Sequence, residues 1–236
     1  MTLKPRLMAI VEDIRLSNVL GTVYDIGTDH ALLPIFLIKG GICKRVVATD
    51  ISCGPLQKAA KNIRKHGVTE FVSLHKGDGF EAIPKIETGS YVIISGVGGV
   101  LLTEILEKGS DKAKMAQVIA LQPMNNVPYL RQWLNDEKYR IIYEKLAVED
   151  RRVYNILFCE YSGETELYSA VDYLIGKRFA NCHEDVINKY ADIIMKRFNK
   201  INEGLSKSKR QIPSSAYHQE LTATVNTLAE RRSDGK

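Results

Sequence analysis

The sequence predicts a doubly wound α/β sheet with an antiparallel end, followed by a C-terminal α-helical, coiled-coil-like domain. Three observations carry that prediction. Short β-branched runs alternate with helical segments over the first two-thirds of the chain, the pattern of strands joined by right-handed helical crossovers. The last two runs are separated only by Glu149-Asp150-Arg151-Arg152, too short for a crossover, so they must pair as an antiparallel hairpin. After about Gly163 the strand-like runs stop, and Ile187, Ile194 and Ile201 recur every seven residues, a heptad seam. The division expected is therefore residues 1–163 and residues 164–236.

Leu3, Leu7, Ile10, Val11 and Ile14 form one apolar stripe, which predicts an amphipathic lead helix. The strands follow at Val23–Ile26, Arg45–Thr49, Val72–His75, Tyr91–Ser95 and Val118–Leu121. All five are continuous apolar runs, as expected where both faces of a parallel sheet are covered. Tyr139–Ala147 and Val153–Tyr161 make the closing hairpin. Between the strands, helices are predicted over His30–Lys39, Pro55–His66, Val100–Glu107 and Pro128–Leu134. The second of these has Pro near its first turn and Gly67 just past its end. In the tail, Ala191, Phe198 and Leu205 repeat with the isoleucine seam at an offset of four. Pro213 lies in the break that follows, and Ala216–Glu230 offers a second helix that would fold back as a hairpin.

The chain has 236 residues, 44% of them apolar and 26% charged, the composition of a folded globular protein rather than a disordered one. No apolar run approaches the ~18 residues of a membrane span, and no secretory signal is evident, so a cytoplasmic location is expected. Cys43, Cys53, Cys159 and Cys182 are scattered, with no CxxC pair, which argues against a zinc knuckle or a disulfide framework. No metal site is expected. The net charge of +5 is compatible with a nucleic-acid partner without requiring one.

The chemistry gathers at the predicted strand ends. The first strand turns into a helix through Asp25-Ile26-Gly27-Thr28-Asp29-His30-Ala31. Gly27 lets backbone approach a ligand closely, but an acid in the turn would repel a diphosphate at the helix N-terminus, which argues against NAD or FAD. The second strand ends in Asp50, placed to accept from ribose hydroxyls, with Ile51 beside it. The third ends in Gly77-Asp78-Gly79, an acid suited to an adenine amine. Each acid alone can be read as a helix cap or a turn residue; three recurring at one sheet edge suit a ligand with a positive charge, a diol and an adenine. That ligand is S-adenosylmethionine. Ser95 and Gly96 open the glycine-rich end of the fourth strand, Ser95-Gly96-Val97-Gly98-Gly99, and complete the candidate cofactor set. No Gly-Lys-[Ser/Thr] follows, so this is not a phosphate loop. The fifth strand ends in Gln122-Pro123-Met124-Asn125-Asn126, whose amides could read a base edge. Basic residues cluster at Lys58, Lys61, Arg64 and Lys65, at Arg151-Arg152, and from Lys196 to Arg210; each is either a solvated face or a phosphate contact.

These motifs resemble a known family. Asp25-Ile26-Gly27-Thr28-Asp29-His30-Ala31-Leu32-Leu33-Pro34, Gly96-Val97-Gly98-Gly99, Leu121-Gln122-Pro123 and Glu149-Asp150-x-x-Val153-Tyr154 are similar to the bacterial tRNA (adenine(22)-N1)-methyltransferases, the TrmK family. The likeness runs over roughly residues 3 to 160, with the tail matching in kind. The chain departs at Val97, where the family carries Met, and at Met124, which separates Gln122-Pro123 from Asn125. The resemblance implies a class I methyltransferase (Rossmann-like) fold with a coiled-coil domain that helps hold tRNA. It implies S-adenosylmethionine bound by Asp25, Gly27, Asp50, Asp78 and Gly79, and Asp29 and His30 lining the place where adenine meets the methyl group. Asn125 is the further catalytic candidate. A monomer is expected, with the helical seam closing within the chain. The alternatives are a methyltransferase of a small molecule or protein, and a non-catalytic module that binds S-adenosylmethionine.

Overall fold

The computed structural model describes residues 2–17 and 21–207. In chain order the elements are α1 (Pro5–Leu16), β1 (Val23–Ile26), α2 (Leu32–Lys39), β2 (Val46–Asp50), α3 (Cys53–Lys65), β3 (Val72–Lys76), β4 (Tyr91–Val97), α4 (Gly99–Lys108), α5 (Ser110–Ala113), β5 (Val118–Pro123), α6 (Val127–Asp136), β6 (Tyr139–Glu149), β7 (Arg152–Tyr161), α7 (Ala170–Leu174) and α8 (Glu184–Lys207). The strands form one seven-stranded sheet in the order β3-β2-β1-β4-β5-β7-β6. The first five are parallel and the β6–β7 hairpin closes the sheet with antiparallel pairing. Strand order reverses between β1 and β4, the place where doubly wound sheets bind ligands at their carboxyl edge.

The pleat explains the continuous apolar runs. Val23, Val46, Tyr91, Ile93, Ile156 and Phe158 face one core with residues of α1, α2 and α3. Their neighbours Tyr24, Val92, Ile94, Ile119 and Leu157 face the other, with Leu102 and Leu106 of α4 and Leu130 and Leu134 of α6. Both faces are covered, so alternation disappears from the sequence. The exception is β3, which lies at the sheet edge with only Val72 fully buried.

Three local departures from expectation have physical causes. Helix α2 starts at Leu32 rather than His30, because Asp29 and Ala31 adopt left-handed backbone with φ of 53° and 56°. Strand β4 runs on to Val97, since Gly96 at φ 82° forms a bulge against β5 instead of ending the ladder. Helix α7 has no counterpart in the sequence pattern; five residues are too few for a periodic signal, and it is held by a capping box between Ser169 and Asp172.

Residues 164–183 pack back on the hairpin. Glu144 of β6 donates its N–H to Arg178 O (2.6 Å) and accepts at its carbonyl from Ala180 N (2.9 Å). The first turns of α8 bury Tyr190, Ala191 and Ile194, two of which (Tyr190 and Ile194) pack with Ala170 and Leu174 of α7 and with Leu146 and Val153 of the hairpin. The start of the predicted seam is thus covered by the chain's own sheet. The second helix expected over Ala216–Glu230, and the break before it, lie outside the described residues. Among the described residues, no helix is long and apolar enough to cross a membrane.

Candidate functional site

A cavity of about 650 Å³ opens at the carboxyl edge of the sheet, across the reversal of strand order. The end of β1 contributes Asp25, Gly27, Asp29 and His30; β2 contributes Asp50 and Ile51; the turn after β3 contributes Asp78 and Gly79; β4 contributes Ser95 and Gly96. Ten of the eleven residues singled out from the sequence therefore line one space.

Asp25 is buried and accepts a hydrogen bond from Thr28 Oγ1 at 2.6 Å. It does not cap α2, whose N-cap is Ala31. Burial pushes its carboxyl up to about 6, against the stabilising Thr28 bond and with the repulsion of Asp50 added. The turn after it is pinned by two 2.9 Å bonds, from Gly27 N and Thr28 N to Thr49 O of β2. Gly27 has φ 77° and Gly96 φ 82°, and a Cβ built on either meets no atom within 4 Å. Both strand ends thus present bare backbone to open space.

Asp50 is half-buried. Its Oδ2 accepts from Asp29 N at 3.1 Å and its Oδ1 from Ser52 N at 2.9 Å. The first bond fixes Asp29 in its left-handed conformation and turns its side chain outward, 68% exposed, with its Oδ1 3.4 Å from His30 Nε2. Asp29 and Ala31, two left-handed non-glycine positions in three residues, concentrate strained backbone where ligands would meet. Asp78 is paired with Lys108 of α4 at 3.0 Å, a partner the sequence did not suggest, and this pairing raises the Lys108 ammonium pKa.

Asn125 stands apart from the other ten. It lines a second cavity, and its Oδ1 accepts from Gly99 N at 3.3 Å, reinforcing the bond from Gly99 N to Asn125 O at 3.1 Å. Glycine is required there, because a Cβ on residue 99 would lie 2.7 Å from Asn126 O. The amide that does reach the cofactor-side strand is Gln122, fully buried, whose Oε1 accepts from Gly96 N at 3.1 Å. Sequence reading also missed the apolar contribution of α4, where Leu101 and Ile105 face the cavity, and of α1, where Leu7 does. No pattern in the sequence marks them; the fold does, by leaving large apolar side chains exposed at this cavity, Leu101 at 44% and Leu32 at 42% beside Ile51 at 62%.

The donor set fits S-adenosylmethionine on its chemistry. Buried and half-buried carboxylates face the space where a cationic ligand would sit, bare backbone allows close approach, and Ile51, Leu101 and Ile105 offer apolar surface to a purine. Among the described residues, no group of three or more His, Cys, Asp or Glu could hold a metal ion.

Comparison with known proteins gives the same direction. The family model for TrmK, tRNA (adenine(22)-N(1))-methyltransferase, matches residues 23–230. The tRNA (adenine(22)-N(1))-methyltransferase of Bacillus subtilis is 33% identical over 174 residues, 74% of this chain and 71% of that protein. The crystal structure of the B. subtilis m1A22 tRNA methyltransferase TrmK superposes with a TM-score of 0.79 at 28% identity, covering 97% of this chain and 98% of that one. A Streptococcus pneumoniae putative tRNA (m1A22) methyltransferase, solved in complex with S-adenosyl-L-methionine, has a TM-score of 0.78 at 28% identity over 97% and 99% of the two chains. A family model that spans most of the chain and a relative one-third identical to it agree with the fold, and the chain belongs to the TrmK family of S-adenosylmethionine-dependent tRNA (adenine(22)-N(1))-methyltransferases.

Proposed function

We propose that the cavity at the carboxyl edge of β1, β2, β3 and β4 is where this chain, a tRNA (adenine(22)-N(1))-methyltransferase, carries out its methyl transfer. The observation that carries the assignment is the convergence of Asp25, Asp29, Asp50 and Asp78 with Gly27 and Gly96 on one space. S-adenosylmethionine supplies a methyl group on a sulfonium and leaves as the neutral thioether S-adenosylhomocysteine. Asp25 offsets the ligand's positive charge, Asp50 accepts from the ribose hydroxyls, and Asp78 takes the adenine amine. Gly27, Gly79, Ser95 and Gly96 supply backbone contact, and Ile51 apolar surface.

Adenine N1 carries a lone pair at neutral pH, so no base has to remove a proton before attack. Catalysis is then positioning, plus stabilisation of the positive charge that develops on the purine. Asp29 serves that purpose: it is exposed at the rim, held by its backbone bond to Asp50, and can accept from the exocyclic amine. His30, beside it, packs against the entering base. N1 is occupied by pairing in a duplex, so the target base is turned out of its stack to enter. Asn125 acts as a positioning residue, shaping the start of α4 through Gly99.

Residues 1–163 bind the cofactor and residues 164–236 contribute to holding tRNA. The chain works as a monomer in the cytoplasm; the start of the apolar α8 face is already covered by α7 and the hairpin. The test is incubation with unmodified bulk tRNA and methyl-labelled cofactor, followed by nucleoside analysis. Label in 1-methyladenosine is expected. Label only in a protein or small molecule, or no transfer despite cofactor binding, would refute the reading.

A further inference from the structure

A second cavity, of about 580 Å³, lies between the ends of β5 and α6, the tip of the β6–β7 hairpin and the face of α8. It shares a wall with the first. Val97 of β4, which lines the first cavity, pairs with Pro123 of β5, which lines the second, and Met124 N donates to Val97 O at 2.8 Å. The two spaces are therefore one strand apart on the same sheet edge.

Their electrostatics are opposite. Four aspartates line the first cavity, and its one arginine, Arg6, is already paired with Glu149. The second is lined by no carboxylate and by three arginines, Arg151 and Arg152 at the hairpin turn and Arg197 on α8. All three are exposed, and none of them makes an ion pair among the described residues. Asp150 at φ 52° makes the tight turn that brings the hairpin pair to the rim. Beneath the arginines the floor is apolar and aromatic, with Val153, Tyr154, Ile193 and Leu174. Charge over an apolar floor matches a single-stranded nucleotide: phosphate on guanidinium forks, base or sugar against the side chains below. Guanidinium groups without a carboxylate partner are also what a phosphate ligand requires, since no internal ion pair has to break.

We propose that this second cavity is an RNA-nucleotide subsite, which seats a nucleotide adjoining the target adenosine with its phosphates on Arg151, Arg152 and Arg197 while the target base occupies the first cavity. The subsite rests on the reading of the chain as a tRNA methyltransferase. It supplies the anchor that base turning needs: one nucleotide held on one side of the Val97–Pro123 wall, the next displaced across it.

The experiment uses the full chain carrying Arg151→Glu, Arg197→Glu and both together, with Lys39→Glu/Lys44→Glu on exposed surface at the opposite sheet edge as an equal-charge control. Affinity for unmodified tRNA is measured across a salt series, cofactor affinity by calorimetry, and 1-methyladenosine formation by nucleoside analysis. The expected result is a tRNA Kd raised tenfold or more in the double variant, a salt slope reduced by about 1 for each phosphate no longer bound, and cofactor affinity within twofold. The control should change tRNA affinity less than threefold. Ile193→Ser, which spoils the floor without adding a charge beside Arg197, should raise the KM for tRNA as well. Tight tRNA binding by the double variant within twofold of wild type overturns the subsite, as does an equal loss in the control. A wild-type chain that binds tRNA through these arginines yet forms no 1-methyladenosine would overturn the reaction and leave the subsite standing.

Discussion

Arg131 and Glu144 form a fully buried, two-pronged ion pair: Arg131 Nη2 lies 2.7 Å from Glu144 Oε2 and Nε donates to both carboxylate oxygens, at 3.1 and 3.2 Å. The remaining guanidinium donors are spent on Tyr173 O, Leu174 O and Ile175 O at 2.9, 3.1 and 2.9 Å, the carbonyls where α7 ends. A helix C-terminus leaves such carbonyls without partners and carries partial negative charge, so a cation there is doubly favoured. The pair thus ties α6 and β6 of the sheet to α7 and so to the segment that leads into α8. Asn155 of β7 adds a 3.3 Å bond to Glu144.

Removing one partner leaves the other charged and dry. Arg131→Ala is expected to destabilise the protein by about 3–5 kcal/mol, while an Arg131→Met/Glu144→Leu double change costs much less, because desolvation of both charges is avoided. Denaturant unfolding of the two variants checks this. Equal losses would show that the pair's geometry, rather than the stranded charge, sets the cost.

Asp25 makes a prediction about pH. Its carboxyl is raised from 3.8 to about 6 by burial in the cofactor-free protein. Between those values the folded state binds more protons than the unfolded one, so the stability tied to Asp25 is fully present below about pH 4 and is lost as pH rises through 6. Relative to wild type, Asp25→Asn should therefore gain up to about 3 kcal/mol of stability between pH 4 and pH 7. A cationic cofactor lowers the same carboxyl, so binding near pH 6 releases protons and weakens as pH falls. Calorimetry at pH 6 in buffers of different ionisation enthalpy reads that release; none would remove Asp25 from contact with the ligand's charge.

What the sequence makes legible follows from periodicity and edges. All seven strands and five main helices lie within two residues or so of expectation, since buried parallel strands and amphipathic helices each leave a pattern. Asp25, Asp50 and Asp78 are legible because each lies within two residues of a strand's carboxyl end, and strand ends meet at one edge. Asn125 is not, because position after β5 does not say to which side of the edge a side chain turns; its amide goes to Gly99. Leu101 reaches the cleft and Lys108 reaches Asp78 from α4, and Arg131 finds Glu144 across the fold, contacts that only packing creates.

Lys108 competes with any ligand for Asp78. Its side chain is 60% exposed, with the ammonium 3.0 Å from the carboxylate, and exposed pairs of this kind are weak enough for a ligand to displace. Lys108→Ala is expected to tighten cofactor binding by up to about fivefold, and Asp78→Asn to loosen it. Loosening in both variants would mean that Lys108 itself touches the cofactor.

Asp29 and Asp50 are joined by one hydrogen bond yet should fail differently. Asp50 accepts with both oxygens at the cavity, so Asp50→Ala frees the Asp29 backbone and, on the proposed reading, removes a ligand contact as well. Cofactor Kd should rise tenfold or more and turnover should fall with it. The Asp29 carboxylate makes no hydrogen bond to the backbone that shapes the cavity; it projects from the rim, and the bond to Asp50 uses only its main-chain N–H. Asp29→Ala keeps that N–H, so cofactor Kd should stay within threefold while kcat for tRNA falls by about a hundredfold or more, the scale of one lost charge-stabilising group. Asp29→Asn should recover part of kcat, because an amide oxygen still accepts from the adenine amine but carries no charge to balance the methylated purine. Near-normal kcat in Asp29→Ala would move charge stabilisation to the backbone carbonyls at the end of β4.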